Sequence, residues 1–193
     1  MAAAQPPFSI PEPANGTDGG KERGRVTRRF VGTNTGKVDP KGRVSIPSKF
    51  RKVLEAGDPD FPSTGKAILC IAHGHPDRPY LEGFSVQSLD DLHNRIDTLP
   101  SNHPHKHMLV DLYYSRVDDL SVDDAGRIVL PQDKRDMIGL GDDALFAGKG
   151  NRFEIWPPTL YRLRRADKTD AFLAAQGEDF DPLDVIDAPA GGL

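Results

Sequence analysis

One ten-residue pattern occurs twice in this chain of 193 residues, and it constrains the fold more than any other feature. Residues 38–47 read VDPKGRVSIP, and residues 122–131 read VDDAGRIVLP. The two copies lie 84 positions apart, and Arg51 and Arg135 match at the same offset. Two copies with matching flanks indicate two related structural units, each too small to bury much apolar surface alone. We therefore expect the copies to pack together as a pseudo-dimer within one chain.

Each copy is typical of a strand, a tight turn and a second strand. Residues 39–42 (DPKG) place Asp, Pro and Gly at the positions that a type I turn favours for them. The flanking residues alternate between an apolar set (Val38, Val44, Ile46) and a polar set (Lys37, Arg43, Ser45), as in a strand with one buried face. Pro47 and Pro131 end these strands, and each suits the first position of a short helix.

Further strands and helices follow from the apolar pattern. Strands are predicted at 67–71 and 80–84 in the first copy, and at 144–147 and 153–156 in the second. Between the copies, Ser88 with Asp91 resembles a capping box at the start of a helix. Another helix is expected at 108–114, and a last one from Pro158 to about Arg165.

Six segments are expected along the chain. They are a disordered arm at 1–29, a first domain at 33–88, a helical connector at 89–116, a second domain at 117–160, a C-terminal helix at 161–175 and an acidic, disordered tail at 176–193.

Composition and charge narrow the class of protein. With 37% apolar and 28% charged residues, the chain has a globular balance. No run approaches the 18 apolar residues of a membrane-spanning helix, and the N-terminus has no signal-peptide pattern, so we expect a cytoplasmic protein without a membrane partner. Cys70 is the only cysteine, which excludes an internal disulfide framework and a cysteine-based zinc site.

The net charge of −4 hides an uneven distribution. Residues 37–52 carry six basic side chains against one acid, and arginines precede them in the arm. After Lys168 the chain carries acids and no base. A basic N-terminal part of this kind is typical of a surface that binds nucleic acid, although a solvated charged face would have the same composition.

The first copy carries the clearer functional pattern. Lys41 is predicted at the tip of the turn, where a lysine suits a phosphate, and Arg43 leaves the turn on the solvent face, where an arginine can bind guanine. The alternative is that Arg43 pairs with Asp39 and only stabilises the hairpin. The second copy has Asp124 and Ala125 in place of Pro and Lys, so we expect its Arg127 to be more structural.

The repeated pattern resembles the MraZ family. The resemblance rests on FVG at 30–32, DPKGRVSIP at 39–47, FR at 50–51, DDAGRIVLP at 123–131 and FEIW at 153–156. It implies a mixed β fold with helices, in which tandem SpoVT–AbrB-like, swapped-hairpin β-barrel units form the intrachain pseudo-dimer. It also implies a ring-shaped homo-oligomer that binds double-stranded DNA.

What the resemblance implies about function can be stated by residue. A member of this family is expected to be a sequence-specific, nucleoid-associated transcriptional repressor that acts at repeated sites upstream of a cell-division and cell-wall gene cluster. The DNA-binding residues are then expected to be Arg29, Lys37, Lys41, Arg43 and Arg127, and the structural residues of the turns to be Asp39, Gly42, Asp123 and Gly126. No enzyme activity, metal or cofactor is expected.

Two other interpretations remain open. His73, His75 and Asp77 spell H-x-H-x-D, as in hydrolases with two zinc ions, but a zinc site needs further ligands that the sequence does not offer. His103, His105 and His107 alternate, which suits a polar loop better than a metal site. A scaffold that uses the repeats only for assembly is the other alternative.

Overall fold

The computed structural model describes residues 29–75, 78–177 and 180–187. The strands in this part are β1 (Thr33–Lys37), β2 (Arg43–Ser45), β3 (Ile68–Ala72), β4 (Leu81–Phe84), β5 (Val117–Ser121), β6 (Arg127–Val129), β7 (Asp143–Gly148) and β8 (Phe153–Trp156). Six of them form one antiparallel sheet in the order β1-β7-β8-β4-β3-β5, and β2 pairs with β6 in a separate two-stranded ribbon. The strand positions predicted from the sequence are confirmed to within one residue at either end.

The strand pairing of the described residues does not confirm the tandem β-barrel units that the family resemblance implies. The six-stranded sheet is open, with β1 and β5 at its two edges. The hairpin predicted around each turn is also incomplete. Val38 and Val44 form one isolated bridge across the first turn, while β1 as a whole pairs with β7. Each strand beside a turn therefore finds its regular partner in the other copy.

The pairing between the copies is symmetric. Val44 lies opposite Ile128 at the middle of the ribbon, and these two residues match in the repeat. Glu82 lies opposite Glu154 where β4 meets β8, at equivalent positions of the two later hairpins. The pairing of β1 with β7 has the same register as that of β5 with β3. The strands thus obey an approximate twofold relation within one chain.

Apolar side chains from both copies form the core. Phe30, Phe50 and Phe153 pack with their ring centroids 5.0–5.4 Å apart, and all three are almost fully buried. Val44 and Ile128 point into this core from the ribbon. Burial of each large apolar side chain contributes about 1.5–3 kcal/mol, so the two copies depend on one another for stability.

The helices lie between the strands along the chain and after the last strand. They are α1 (Ser48–Ala56), α2 (Phe61–Thr64), α3 (Val86–Asp97), α4 (Lys106–Val110), α5 (Gln132–Ile138), α6 (Pro158–Tyr161), α7 (Asp167–Gln176) and α8 (Asp184–Asp187), with π-helical turns at Asp111–Ser115 and Arg162–Ala166. The predicted helices at 108–114 and from Pro158 are confirmed, and the latter continues to Gln176. Pro47 and Pro131 precede α1 and α5 as cap residues rather than opening them.

The capping box of α3 lies three residues before the predicted one. Ser85 is the cap, and its hydroxyl accepts a hydrogen bond from the Ser88 backbone N–H. Ser88 in turn accepts one from the Ser85 backbone N–H through its own hydroxyl. Ser88 suits either the cap position or the third position of a helix, and the sequence pattern assigned it to the cap. In the structure the Ser85 hydroxyl is close enough to act as the cap, so Ser88 takes the third position.

The structure describes part of the C-terminal tail but little of the N-terminal arm. Residues 180–187, in a segment where the sequence favours disorder, contain α8, and Phe180 packs edge-on against Phe172. Residues 1–28, which hold most of the expected arm, lie outside the described residues. No helix in the described ranges is long and apolar enough to cross a membrane.

Candidate nucleic-acid interface

The first turn is organised by the Asp39 carboxylate. One oxygen, Oδ1, accepts hydrogen bonds from the backbone N–H groups of Lys41 and Arg43, both at 2.9 Å. The other oxygen, Oδ2, accepts from Arg43 Nε at 2.6 Å. The backbone hydrogen bond from Arg43 is the main cause that lowers the pKa of Asp39. Asp39 therefore stays ionised and fixes both the turn and the direction in which Arg43 leaves it.

The second turn repeats this arrangement. Asp123 Oδ1 accepts from the backbone of Ala125 and Arg127, and the Arg127 backbone hydrogen bond is the main cause that lowers the pKa of Asp123. Asp123 Oδ2 contacts both Nε and Nη2 of Arg127 at 2.9 Å. In each turn the aspartate therefore binds the guanidinium of the arginine four residues later.

The glycines of the two turns are covered by arginines from the opposite copy. Gly42 has a φ of +79°, and the Arg135 side chain lies 3.1 Å from the position that a Cβ atom would take there. Gly126 has a φ of +74°, and the Arg51 side chain fills the matching space. The sequence showed that Arg51 and Arg135 match, but not that each covers the other copy's turn.

The ribbon has one buried and one outward face. Val44 and Ile128 are buried, so their neighbours along the strands point away from the core. The outward residues are Arg43, Ser45, Arg127 and Val129, with Arg43 opposite Val129 and Ser45 opposite Arg127. We call these four residues the ribbon face. Sequence reasoning placed Arg43 and Ser45 on one polar strand face but did not place Arg127 and Val129 beside them, since that depends on the pairing of β2 with β6.

The turns flank the ribbon face at its two ends. The backbone N–H of Leu130 donates to Gly42, and that of Ile46 donates to Gly126. At about 3.4 Å per residue, Gly42 and Gly126 are therefore ~14 Å apart along the ribbon. Lys41 is exposed on the first turn, and Ala125 takes its place on the second. A narrow ribbon with a basic tip at one end has dimensions that suit a DNA major groove.

Two of the expected DNA-binding residues lie away from the ribbon face. Lys37 ends β1 just before the first turn, and its Nζ forms an ion pair of 2.9 Å with Asp143. Arg29 lies beyond the other end of β1, near Gly150, so the length of that strand, ~17 Å, separates it from Lys37. The structure brings together Lys41, Arg43 and Arg127 and leaves Arg29 apart.

The histidine pattern has a structural explanation for its first member. His73 Nε2 lies 3.0 Å from Asp118 Oδ2, which also binds Lys134 at 3.1 Å. Burial lowers the pKa of His73. Asp77 lies outside the described residues, and within them no cluster of three or more potential metal ligands occurs. His73 thus contacts the carboxylate of the Asp118–Lys134 ion pair, which joins β5 to α5.

These features define a class of protein, one with a tandem repeat whose two copies complete each other's strand pairing and share a β-ribbon. The sequence is 40% identical to the Transcriptional regulator MraZ of Ruegeria pomeroyi over 166 residues, which cover 86% of this chain and 99% of that protein. The chain belongs to the MraZ family.

Other comparisons agree with this assignment. A Transcriptional regulator MraZ of a Ruegeria species is 35% identical over 164 residues, covering 85% of this chain and 98% of that protein. One of Rhodospirillum rubrum is 34% identical over 158 residues, covering 81% and 96%. A family model described as "MraZ protein, putative antitoxin-like" matches residues 115–178.

Proposed function

We propose that the chain is a sequence-specific DNA-binding transcriptional regulator that reads DNA with the ribbon face and the two turns. The observation that carries the proposal is the geometry of Arg43. Its Nε is bound by Asp39, so the side chain is held in a fixed direction on an exposed surface. A guanidinium anchored in this way can still offer its Nη groups to the O6 and N7 atoms of guanine.

The other residues fit subordinate roles. Lys41 at the tip of the first turn suits a phosphate contact, which adds affinity and fixes the register on DNA. Arg127 lies in the turn that has Asp124 and Ala125 in place of Pro40 and Lys41, so its contribution to DNA binding should be smaller than that of Arg43. Lys37 and Arg29 would attract DNA phosphates electrostatically. The turns are stabilised by Asp39, Gly42, Asp123 and Gly126.

The wider biological role rests on the family membership. We propose a repressor that binds repeated sites upstream of a cell-division and cell-wall gene cluster, works in the cytoplasm in association with the nucleoid, and assembles as a ring of identical subunits. Within each subunit we propose that the two copies correspond to swapped-hairpin SpoVT–AbrB-like units. Their interleaved strand pairing supports this correspondence.

The experiment that tests the function is a titration of DNA from upstream of the protein's own gene. Arg43→Ala should lower specific affinity by about 10- to 100-fold, because a bidentate base contact is worth about 1–3 kcal/mol. Arg127→Ala should lower it less. Fluorescence anisotropy with labelled duplexes measures both losses.

A matched control removes one positive charge at a position far from the ribbon in the sequence. Arg95 is exposed on α3, and Arg95→Ala should change the affinity by less than about threefold. Equal losses for the variants at Arg43, Arg127 and Arg95 would contradict readout by the ribbon face.

A further inference from the structure

A cleft with a basic lining lies at the end of β5 that is farther from the second turn. Its volume is about 670 Å³. The loop between β3 and β4, the residue before β5, helix α5 and the π-helical turn at Arg162–Ala166 all contribute to it, through His73, His75, Arg78, Arg116, Met137 and Arg164. None of the described residues that line it is acidic. The cleft therefore combines positive charge with some apolar surface.

The first copy contributes to the cleft through a longer loop. Ala72 pairs with Glu82 across the first hairpin, and the equivalent residues Ala147 and Glu154 pair across the second. The first hairpin has three more residues between these positions than the second, and its loop supplies His73, His75 and Arg78. The fold does not require this extra length, since the second copy closes the same hairpin without it.

The arginines of the cleft together keep an excess of positive charge, since only Arg116 has an acidic partner to itself. Arg78 shares the buried carboxylate of Glu82 with a second arginine, so one negative charge balances two positive ones. Arg116 pairs with Asp111 at 2.7 Å. Arg164 is exposed and forms no ion pair within the described part of the chain. An acidic ligand would complete the charge balance of this cleft.

The C-terminal segment has the opposite chemistry. Residues 180–187 carry Asp181, Asp184 and Asp187 without a basic residue. Between these acids, the side chains of Leu183, Val185 and Ile186 are 65%, 51% and 76% exposed. Exposed apolar residues in a short acidic segment indicate a surface that becomes covered by a partner. The cleft offers matching apolar surface through Met137, which is 50% exposed.

We propose that residues 180–187 of one copy of this chain dock in the basic cleft of a second copy. Charge complementarity selects this occupant, because the segment is acidic where the cleft is basic and both carry exposed apolar side chains. Within its own chain the segment lies against α7 through Phe180 and Phe172, so its acids and apolar residues remain available to a neighbour. The docking links subunits through a surface separate from the ribbon face, and it does not rest on the proposed DNA binding.

A peptide-binding experiment tests the docking. The full chain with Asp181, Asp184 and Asp187 changed to Asn has no acidic side chain left in residues 180–187, and a fluorescein-labelled peptide of residues 177–190 is the probe. We expect anisotropy to report saturable binding. Arg164→Glu in the same background should weaken it at least tenfold, because the substitution reverses a charge in the cleft. Arg162→Glu, in the same basic run but outside the cleft lining, should weaken it less than threefold.

Three results would overturn the proposal. Equal losses for Arg162→Glu and Arg164→Glu would indicate non-specific charge attraction. A larger loss for Arg43→Glu would place the segment on the ribbon face instead. Sedimentation velocity supplies the third: the chain with the three Asn substitutions should sediment as a smaller species than the unchanged chain at equal concentration. Identical sedimentation would mean that the segment does not link two copies.

Discussion

Gly42 and Gly126 hold the same position in the two turns, but their surroundings differ. Both have a positive φ, which strains any residue with a Cβ atom. A Cβ atom on Gly42 would lie 2.5 Å from the backbone oxygen of Leu130, which cannot move without disturbing the ribbon. At Gly126 the nearest atoms belong to the flexible side chain of Arg51. The same residue type is therefore under different constraints in the two copies.

Gly42→Ala is expected to destabilise the protein by about 3 kcal/mol or more, because a left-handed backbone costs about 1–3 kcal/mol and the overlap with Leu130 adds to it. The matched control is Gly65→Ala, since Gly65 has a φ of +66° and nothing within 4 Å of its Cβ position. That change should cost only the backbone strain. Chemical denaturation measures the free energies of unfolding of both variants. Equal losses would show that the backbone at Leu130 shifts to accommodate the new Cβ atom.

At the scale of elements, the sequence predicts the strands well and their partners poorly. The alternation of apolar and polar residues locates each strand from local information. The partner of a strand depends on distant segments: the motif around Asp39 is typical of a hairpin, yet β1 pairs with β7 and β2 with β6. No non-glycine residue in the described part has a positive φ, so these are not the primed turns that hold two strands side by side. The strands separate, and the other copy supplies their partners.

The candidate site, like the strands, could be predicted where it depends on local sequence and not where it depends on strand pairing. Local pattern identified Lys41, Arg43 and Arg127, because they belong to the repeated turn itself. The ribbon face as a surface could not be predicted, since only the pairing of β2 with β6 brings Arg127 and Val129 beside Arg43 and Ser45. Arg29 was included because it is near the turn in sequence, but the length of β1 separates them.

The pairing of β4 with β8 places two buried carboxylates, those of Glu82 and Glu154, opposite each other. Like charges at directly opposed positions destabilise a sheet unless each has its own partners. Glu82 accepts hydrogen bonds from Arg78, Arg152 and Tyr113. Glu154 accepts one from Trp156 at 2.8 Å, and basic side chains lie farther from it. The two glutamates therefore use separate sets of donors to tolerate their proximity.

Glu82→Gln should destabilise the protein by about 1–3 kcal/mol, because it weakens hydrogen bonds between a buried acceptor and two cations. The control is Asp143→Asn, which weakens the exposed ion pair with Lys37 and should cost less than about 1 kcal/mol. Thermal and chemical unfolding of the two variants provide the comparison. A cost for Glu82→Gln no larger than that of Asp143→Asn would contradict the role of the buried glutamate in joining β4 to β8.

At the scale of the whole molecule, the ribbon face is small for the sequence-specific DNA binding proposed above. It consists of four outward residues from two three-residue strands, with one lysine-tipped turn at its end. On the proposed function, a surface of this size would contact only a few base pairs, so a single subunit should discriminate weakly between sequences. The proposed regulation would then require several subunits of the proposed ring to engage several sites on the same DNA, since each bound subunit raises the effective concentration of the next.

This reasoning predicts how the proposed regulator responds to the number and spacing of its sites. A duplex with repeated sites at the natural spacing should bind at least 100-fold more tightly than a duplex with one site, and altered spacing should remove most of the gain. The logarithm of the binding constant should fall linearly with the logarithm of the salt concentration, because basic side chains displace counterions from phosphates. Light scattering establishes the mass of the assembly, and anisotropy titrations over a salt series measure the affinities. A monomer that binds all three duplexes equally would refute multivalent recognition, whereas an affinity independent of salt would refute the contribution of the basic turn.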